Sequence, residues 1–328
     1  MKAIVFEKYG SPDVLELKEV VKPTPKDDEV LVKVLAAGAN PFDWRRMRAA
    51  PFLVRISDGL LKPKNIYLGA DIAGRIDAVG KNVTQFQPGD AVFGEISTGG
   101  FAEYVAAPAK KFALKPANLT FEQAAAAPMV AFTALQGLRD TGQIQPGQTV
   151  LVNGASGGVG TFAVQIAKSF DAEVTGVCST RNLEMVRSIG ADHVVDYTRE
   201  DFTKTGQRYD LIYDAVGNRT VSDYKRALKD GGICVVAGFS TLSHLFQVML
   251  LGAWVSQTTG KKIGTMGSAR VIQKDLLYIA ELLEAGKITP VIDRCYPLHE
   301  TAVAIRYLET GRARGKVIIT MAKDPKER

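Results

Sequence analysis

The sequence predicts an α/β protein in which a domain of short β-strands precedes a doubly wound parallel sheet. Two observations support this. Through about residue 118, short apolar runs such as 29–35 and 74–80 alternate with Gly, Pro and Asp turns. From Thr149 onward, strand-like and helix-like segments alternate. We expect an all-β module first, followed by strands at 149–153, 173–178, 193–196, 209–215 and 232–237.

The composition indicates a globular protein with room for two domains. The 328 residues are 46% hydrophobic and 23% charged, which excludes a disordered chain. The net charge of +6 is spread along the chain, so it favours small anionic ligands and provides no basic stripe for nucleic acid. Cys178, Cys234 and Cys295 lie too far apart for a metal-binding knuckle and are typical of a reducing compartment.

The chain shows no signal for secretion or membrane insertion. An alternating strand begins at Lys2, which leaves no room for a signal peptide. The longest apolar stretch, 245–255, is too short to span a bilayer. We therefore expect a cytoplasmic protein.

Residues 150–160 are the most informative stretch. Three β-formers lead into four glycines, and a helix-like periodicity follows, so backbone N–H groups and a helix N-terminus would converge on a phosphate. Ala155-x-Gly157-x-x-Gly160 matches the dinucleotide fingerprint, with Ala in place of the first glycine. A glycine turn needed only for steric reasons is an alternative interpretation.

The same turn also fits the Gly-x-Ser-x-Gly nucleophile elbow of α/β hydrolases, with Ser156 as the nucleophile. His299 is the late histidine that such a triad would need. However, no His-Gly-Gly oxyanion segment precedes Ser156, and the parallel sheet is predicted to begin only at the elbow. The dinucleotide interpretation is therefore favoured.

Sequence signals divide the chain further. A capping box from Thr120 to Gln123 opens an Ala-rich helix, which we take as the start of the second domain. The segment 239–267 is apolar and irregular, and would shape either a substrate pocket or a dimer contact. Near the end come an amphipathic helix around Leu276 and a strand at 315–320.

Five segments, in this order, carry a family resemblance: 38–44, 69–74, 88–90, 99–104 and 132–134. With residues 150–160 downstream, they resemble the zinc-free quinone oxidoreductase branch of the medium-chain dehydrogenase/reductase superfamily over essentially the whole chain. The resemblance implies a GroES-like catalytic domain at 1–118 completed by 268–328, and a Rossmann domain at 119–267. It also implies an active site in the cleft between them, and a homodimer.

Departures from the zinc-dependent relatives are informative. Asn40 stands where those relatives carry Cys, Ala70 and Asp71 stand where they carry His-Glu, and Met129 lies near the third ligand position. Asn, Ala and Met do not provide the tetrahedral N/S ligands that zinc requires. The resemblance thus implies chemistry without a metal.

The predicted cofactor is NADPH. An NAD-preferring domain places an acidic residue about 20 positions after the glycines, whereas this chain has Ser179, Thr180 and Arg181. Helix capping by Ser179 and Thr180 is an alternative that can hold simultaneously. By resemblance, Tyr197 closes over the same phosphate. The predicted cofactor-binding residues are Thr133, Ala155, Ser156, Gly157, Gly158, Val159, Ser179, Thr180, Arg181, Tyr197, Val216, Gly217, Gly238, Phe239 and, more weakly, Lys316, which a solvated lysine would also explain.

The resemblance implies hydride transfer to a quinone or to the C=C bond of an α,β-unsaturated carbonyl. It points to Asn40 as an amide donor, with Asp43 and Trp44 lining the cleft. Asn40 as a turn residue before Pro41, and Asp43 as a buried partner for an arginine, remain alternatives. Because Trp44 has no hydroxyl, water is the expected proton source. A zinc-free alcohol or aldehyde reductase and a non-catalytic NADPH-binding protein are the competing functions.

Overall fold

The computed structural model describes residues 1–52 and 54–321, which form two compact units. Unit 1 contains Met1–Met129, Val271–Glu284 and, of the described residues after that, 290–321. Unit 2 contains Val130–Arg270 and Ala285–Thr289. Residues 119–129, predicted as the start of the second domain, therefore lie in unit 1, where the helix at 121–125 packs on the unit 1 sheet.

Regular elements are given in chain order. The strands are β1 (Lys2–Val5), β2 (Glu16–Glu19), β3 (Glu29–Ala39), β4 (Asp71–Val79), β5 (Ala91–Glu95), β6 (Tyr104–Pro108), β7 (Phe112–Leu114), β8 (Thr149–Asn153), β9 (Glu173–Cys178), β10 (His193–Asp196), β11 (Tyr209–Asp214), β12 (Leu228–Val236), β13 (Lys262–Thr265), β14 (Ile292–Pro297) and β15 (Lys316–Thr320). The helices are α1 (Pro41–Arg48), α2 (Val54–Asp58), α3 (Phe121–Ala125), α4 (Pro128–Gln136), α5 (Gly158–Ser169), α6 (Leu183–Ser188), α7 (Val221–Ala227), α8 (Leu242–Thr259), α9 (Gln273–Glu284) and α10 (Thr301–Glu309).

Unit 1 is built on a mainly antiparallel sheet. The strand order is β14-β15-β3-β4-β5-β7, and β6 also pairs with β3. The closing strand β15 pairs antiparallel with β3, so Val317 lies opposite Ala39 although the two are far apart in sequence. One face of this sheet is closed by a continuous apolar core that includes Phe6, Val32, Ile72, Phe101, Phe112 and Val317.

Unit 1 is not the all-β module that the sequence predicted. Asn40 follows β3 with an extended backbone as the N-cap of α1, and Pro41 occupies the first turn of the helix, where its missing N–H has no cost. Asp43 Oδ2 accepts a hydrogen bond from the Asn40 backbone N–H at 2.8 Å and so caps the helix. The sequence did not predict α1, because a helix of eight residues shows little periodicity and Asn40 before Pro41 is also typical of a turn.

Unit 2 is a six-stranded parallel sheet in the order β10-β9-β8-β11-β12-β13. From β8, the strands β9 and β10 extend the sheet to one side and β11, β12 and β13 extend it to the other, so the order reverses between β8 and β11. Helices connect the strands, as in a doubly wound fold. The predicted parallel Rossmann-type sheet is therefore confirmed.

Two elements of unit 2 were missed. The segment 239–267, expected to be irregular, contains the 18-residue helix α8, which Thr241 caps and Gly260 ends in a left-handed conformation with φ of 69°. Large apolar side chains lie both on its buried side (Val248, Val255) and on its exposed side, so no amphipathic period is visible. The sixth strand, β13, has only four residues.

No helix among residues 1–52 and 54–321 is long and apolar enough to cross a membrane.

Candidate functional site

The turn after β8 has the geometry of a phosphate-binding loop. Gly154 has φ of 81°, a conformation that side-chain-bearing residues rarely adopt. Gly157 is the N-cap of α5, and a Cβ on Gly160 would lie 2.0 Å from the Gly154 carbonyl oxygen. Ala155 is buried, which explains why alanine replaces the first glycine of the fingerprint: the left-handed residue is Gly154. Gly158 and Val159 form the first turn of α5.

Asn182 joins this turn to the end of β9. Its Nδ2 atom donates hydrogen bonds to Ser156 Oγ at 3.0 Å and to Ser179 Oγ at 3.2 Å. The residue is 5% exposed, and its Oδ1 atom is buried without a hydrogen-bond partner among the described residues. Ser179 precedes the 3₁₀ turn at Thr180–Asn182 but makes no side-chain capping bond.

Thr180 points to a different partner from the one predicted. Its hydroxyl donates to Asp196 Oδ2 at 2.5 Å, and Thr198 donates to Asp196 Oδ1 through its N–H and its hydroxyl. These bonds, led by that from Thr180, hold the pKa of Asp196 below its ordinary value. The end of β9 carries no acid of its own, but a carboxylate from β10 lies beside it. That carboxylate accepts the hydrogen bond of the Thr180 hydroxyl, so Thr180 cannot donate the same hydrogen to a phosphate.

Arg181 and Tyr197 lie at the same edge of the sheet. Both side chains are exposed, Tyr197 to 56%. The Tyr197 backbone N–H donates to the Cys178 carbonyl at 3.1 Å, which fixes Tyr197 beside the last residue of β9. Ser179, Arg181 and Tyr197 are thus neighbours in unit 2.

A buried carboxylate organises the ends of β8 and β11. Asp214 is fully buried, and its Oδ1 atom accepts the backbone N–H groups of Val216 and Gly217, each at 2.7 Å. Its Oδ2 atom accepts from Asn153 Nδ2 at 3.0 Å and from the Tyr224 hydroxyl at 2.7 Å. Burial raises the pKa of Tyr224, so this hydroxyl stays protonated and can donate. The backbone N–H groups of Val216 and Gly217 therefore donate to Asp214. These two residues contribute to the predicted site only through the shape of their loop.

The loops after β11 and β12 approach each other closely. Gly217 has φ of 64°, and a Cβ there would lie 2.1 Å from the Gly238 carbonyl oxygen. Ser240 donates its N–H and its hydroxyl to the Gly217 carbonyl. Phe239 lies between these glycine and serine contacts and is half-buried. Thr133, in α4, accepts the Tyr213 hydroxyl on its carbonyl at 3.0 Å.

These residues fit a phosphorylated dinucleotide. The glycine turn leaves the N-terminus of α5 open to a pyrophosphate, and no side chain of Gly157 or Gly158 obstructs it. Ser179 and Arg181 offer donors for a second phosphate at the end of β9. Among residues 1–52 and 54–321, the Ser156 hydroxyl has no hydrogen bond to a histidine, whereas a nucleophile elbow would require one.

Unit 1 contains a separate buried polar cluster. Lys316 Nζ donates to Asn40 Oδ1 at 2.6 Å and to Asp71 Oδ2 at 3.1 Å. Asn40 Nδ2 donates to Asp71 Oδ2 at 3.0 Å and to the Gly38 carbonyl at 3.2 Å, and the Met129 backbone N–H donates to Asp71 Oδ1 at 2.9 Å. Lys316 is 2% exposed, so it is not the solvated lysine of the alternative interpretation.

This cluster brings together the positions at which the zinc-dependent relatives are expected to carry ligands. Asn40, Asp71 and the Met129 backbone meet, with a lysine ammonium between the first two. The ammonium uses the Asn40 and Asp71 oxygens that a metal ion would need, and its positive charge would repel a divalent cation there. In the part of the chain that the structure describes, no group of three His, Cys, Asp or Glu side chains could hold one.

The other two residues predicted to be catalytic have distinct surroundings. Asp43 is buried and accepts the backbone N–H groups of Asn40 and Gly69, each at 2.8 Å. Burial raises the pKa of Asp43 to about 6, although these two bonds lower it. Trp44 is half-buried, and the Arg45 guanidinium lies 5.4 Å from its ring centroid.

Comparison with known proteins supports this description. Residues 26–117 match the alcohol dehydrogenase GroES-like domain family, and residues 189–319 match the zinc-binding dehydrogenase family. The chain is 38% identical to a 2-methylene-furan-3-one reductase of Solanum lycopersicum and 36% identical to a chloroplastic NADPH-dependent alkenal/one oxidoreductase of Arabidopsis thaliana. Each alignment covers 97% of this chain and 79% of the relative.

The chain belongs to the medium-chain dehydrogenase/reductase superfamily. It is also similar, at 25% identity and a TM-score of 0.81, to the structure of Escherichia coli quinone oxidoreductase complexed with NADPH, covering 98% of this chain and 100% of that one. The predicted family and its quinone oxidoreductase branch are confirmed.

Sequence reasoning missed the residues that organise this medium-chain reductase internally. These are Asn153, Asn182, Asp214 and Tyr224 in unit 2 and Glu95 in unit 1. Asp214 and Asn153 end two parallel strands, which is a signal that could have indicated them. Asn182, Tyr224 and Glu95 show no local pattern.

Glu95 adds a titratable group to the unit 1 cluster. It lies directly opposite Asp71 across the β4–β5 ladder. Burial and, secondarily, repulsion from Asp71 raise the pKa of Glu95 to about 8, against the opposite effects of Lys111 and Lys316. The folded protein therefore holds a proton on Glu95 that the unfolded chain releases above about pH 4.5.

Stability is expected to fall as pH rises from about 4.5 to about 8, because the folded state binds more protons in this range. The isosteric Glu95→Gln variant should match the parent at about pH 4, where Glu95 is mostly protonated in the folded and the unfolded state, and exceed its free energy of unfolding by about 2–5 kcal/mol at pH 9. Urea unfolding at both pH values measures this. Glu281→Gln, at an exposed site on α9, is the control. An equal pH dependence for Glu95→Gln and the parent would refute the assignment.

Proposed function

We propose that this chain is an NADPH-dependent oxidoreductase that transfers a hydride, without zinc, to a quinone or to the C=C bond of an α,β-unsaturated carbonyl. One observation carries the proposal: the glycine turn before α5 lies beside a strand end that presents Ser179 and Arg181 and no acidic side chain of its own. The names of the reductase and oxidoreductase relatives support the same activity.

The proposed division of labour in unit 2 follows from its hydrogen bonds. The N–H groups at the start of α5 and the Ser156 hydroxyl would hold the pyrophosphate. Ser179 and Arg181 would hold the 2′-phosphate, with Tyr197 beside them. Asp214 would keep the loop at Val216 in a fixed shape against the nucleotide. Bound NADPH would supply the hydride from its nicotinamide ring.

Lys316 is better assigned to positioning than to NADPH binding. Its ammonium is committed to Asn40 and Asp71. Both amide protons of Asn40 are also committed, to Gly38 and Asp71, so a donor role toward substrate would require one of these bonds to break. We therefore propose that Asn40, Asp43 and Lys316 hold the segment that carries Trp44, and that Trp44 contacts the substrate.

Two further expectations belong to this proposal. The superfamily resemblance suggests a homodimer, and the sequence suggests a cytoplasmic protein that binds neither nucleic acid nor membranes. The Arabidopsis relative is named as chloroplastic, so its compartment differs from the one expected for this chain. Gel filtration with light scattering would measure the oligomeric state.

Oxidation of NADPH and NADH, followed at 340 nm against a quinone, an enone and an aldehyde, tests the activity. We expect turnover with NADPH and at least one quinone or enone, and slower turnover with NADH. Turnover of the aldehyde alone would favour the alcohol or aldehyde reductase. Tight NADPH binding without turnover of any substrate in the panel would favour a non-catalytic protein.

Arg181→Ala is expected to weaken NADPH binding about 10- to 100-fold, because a charge-assisted hydrogen bond to a phosphate is lost. NADH binding should barely change. Dissociation constants from fluorescence titration measure both effects, with Arg208→Ala as a control remote in sequence from the glycine turn. Equal losses for the two cofactors would mean that Arg181 does not bind the 2′-phosphate.

A further inference from the structure

Asn182 lies outside the residues that sequence reasoning assigned to the cofactor, yet it makes the contact that links two of them. Its amide nitrogen donates one hydrogen to Ser156, in the glycine turn after β8, and the other to Ser179, at the end of β9. Asn182 is only 5% exposed, whereas both serines are partly exposed. One amide therefore connects the two places where phosphates are expected.

The amide orientation follows from hydrogen-bond accounting. With Nδ2 facing the serines, both N–H groups are satisfied and only Oδ1 is left without a partner. The reverse orientation would leave two N–H donors buried without acceptors, which is less favourable than one unpaired carbonyl oxygen. The protein thus retains an unpaired buried oxygen in order to give both amide hydrogens to Ser156 and Ser179.

This arrangement determines what the serines can do. Each Oγ atom already accepts a hydrogen bond, so the proton of each hydroxyl is directed elsewhere. Phosphate oxygens accept hydrogen bonds and, when ionised, do not donate them. Two serines fixed as donors match a ligand with two phosphate groups in reach of neighbouring strand ends. Thr180 differs from the two serines, because its hydroxyl already donates a hydrogen bond to Asp196.

We propose that Asn182 is a positioning residue that orients the Ser156 and Ser179 hydroxyls as paired donors, one toward the pyrophosphate and the other toward the 2′-phosphate of NADPH. Asn182 itself contacts neither phosphate in this role. The inference rests on the proposed function, because it presumes that the site takes NADPH. It further identifies Asn182 as a determinant of the preference for NADPH over NADH, since only NADPH needs the Ser179 donor.

The first test is Asn182→Leu, which has a similar size and no polar atoms. NADPH affinity should fall about 5- to 30-fold, corresponding to two weakened hydrogen bonds, and NADH affinity by a smaller factor. The melting temperature without cofactor should stay the same or rise, because the unpaired Oδ1 atom is removed. Dissociation constants are measured by fluorescence titration with NADPH and NADH, and the melting temperature by calorimetry.

A second variant and a control complete the design. In Asn182→Asp the carboxylate accepts hydrogen bonds from both serine hydroxyls, so these hydroxyls no longer point to the phosphates. This variant should weaken NADPH binding more than Asn182→Leu does. Asn118→Leu is the matched control, because the Asn118 amide also donates two bonds, to Leu283 and Glu284 in unit 1. It should leave both dissociation constants unchanged.

Coupling distinguishes positioning from direct contact. In a background carrying Ser156→Ala and Ser179→Ala, adding Asn182→Leu should change NADPH affinity less than twofold, because the residues it acts through are gone. The full effect persisting in that background would overturn the inference, as would unchanged NADPH affinity in Asn182→Leu and Asn182→Asp. If the parent chain binds no NADPH, the proposed function itself fails; tight binding by the parent with no effect of these variants refutes only the role of Asn182.

Discussion

The nucleotide site depends on the hydrogen bonds that the Asp214 carboxylate accepts. The carboxylate is completely buried, and it is tolerated there because four donors surround it: Asn153, Tyr224 and the backbone of Val216 and Gly217. Removing one donor would expose an uncompensated buried charge, so the four positions are fixed together. Because β8 and β11 flank the point where the strand order reverses, this bond set holds the sheet edge at which ligands bind in such folds. The site is therefore ordered before any nucleotide arrives.

Unit 1 also contains buried polar groups that satisfy one another's hydrogen bonds and charges. There, a lysine ammonium, a carboxylate and an amide satisfy one another at a place where zinc-dependent relatives are expected to carry ligands. Lys316 supplies a positive charge from within the chain, and Asp71 balances it. Glu95, across the ladder from Asp71, keeps its proton near neutral pH because burial and, secondarily, repulsion from Asp71 raise its pKa to about 8. This medium-chain reductase thus carries fixed polar networks in both units.

The sequence predicted what depends on neighbouring residues. The strands of the parallel sheet through β12, the glycine turn and the cap at Thr120 each have a local pattern, and the structure has them. The helix α1 was missed because Asn40-Pro41 is equally typical of a turn, and α8 because its apolar residues lie on both sides. The Lys316–Asn40 contact joins residues 276 positions apart, so no local signal could indicate it. The hydrogen bonds of Asn182 could not be predicted for a related reason. An asparagine at this position is typical of a helix start, and one of its partners, Ser156, lies 26 residues earlier.

The proposed activity depends on unit 2 binding a phosphorylated dinucleotide in a preformed site. A crystal structure with NADP⁺ bound tests this most directly. We expect the 2′-phosphate within about 3 Å of Ser179 Oγ and of the Arg181 guanidinium, the pyrophosphate at the N-terminus of α5, and Asp214 still accepting its hydrogen bonds. A nucleotide bound elsewhere, or a 2′-phosphate that contacts neither Ser179 nor Arg181, would contradict the account.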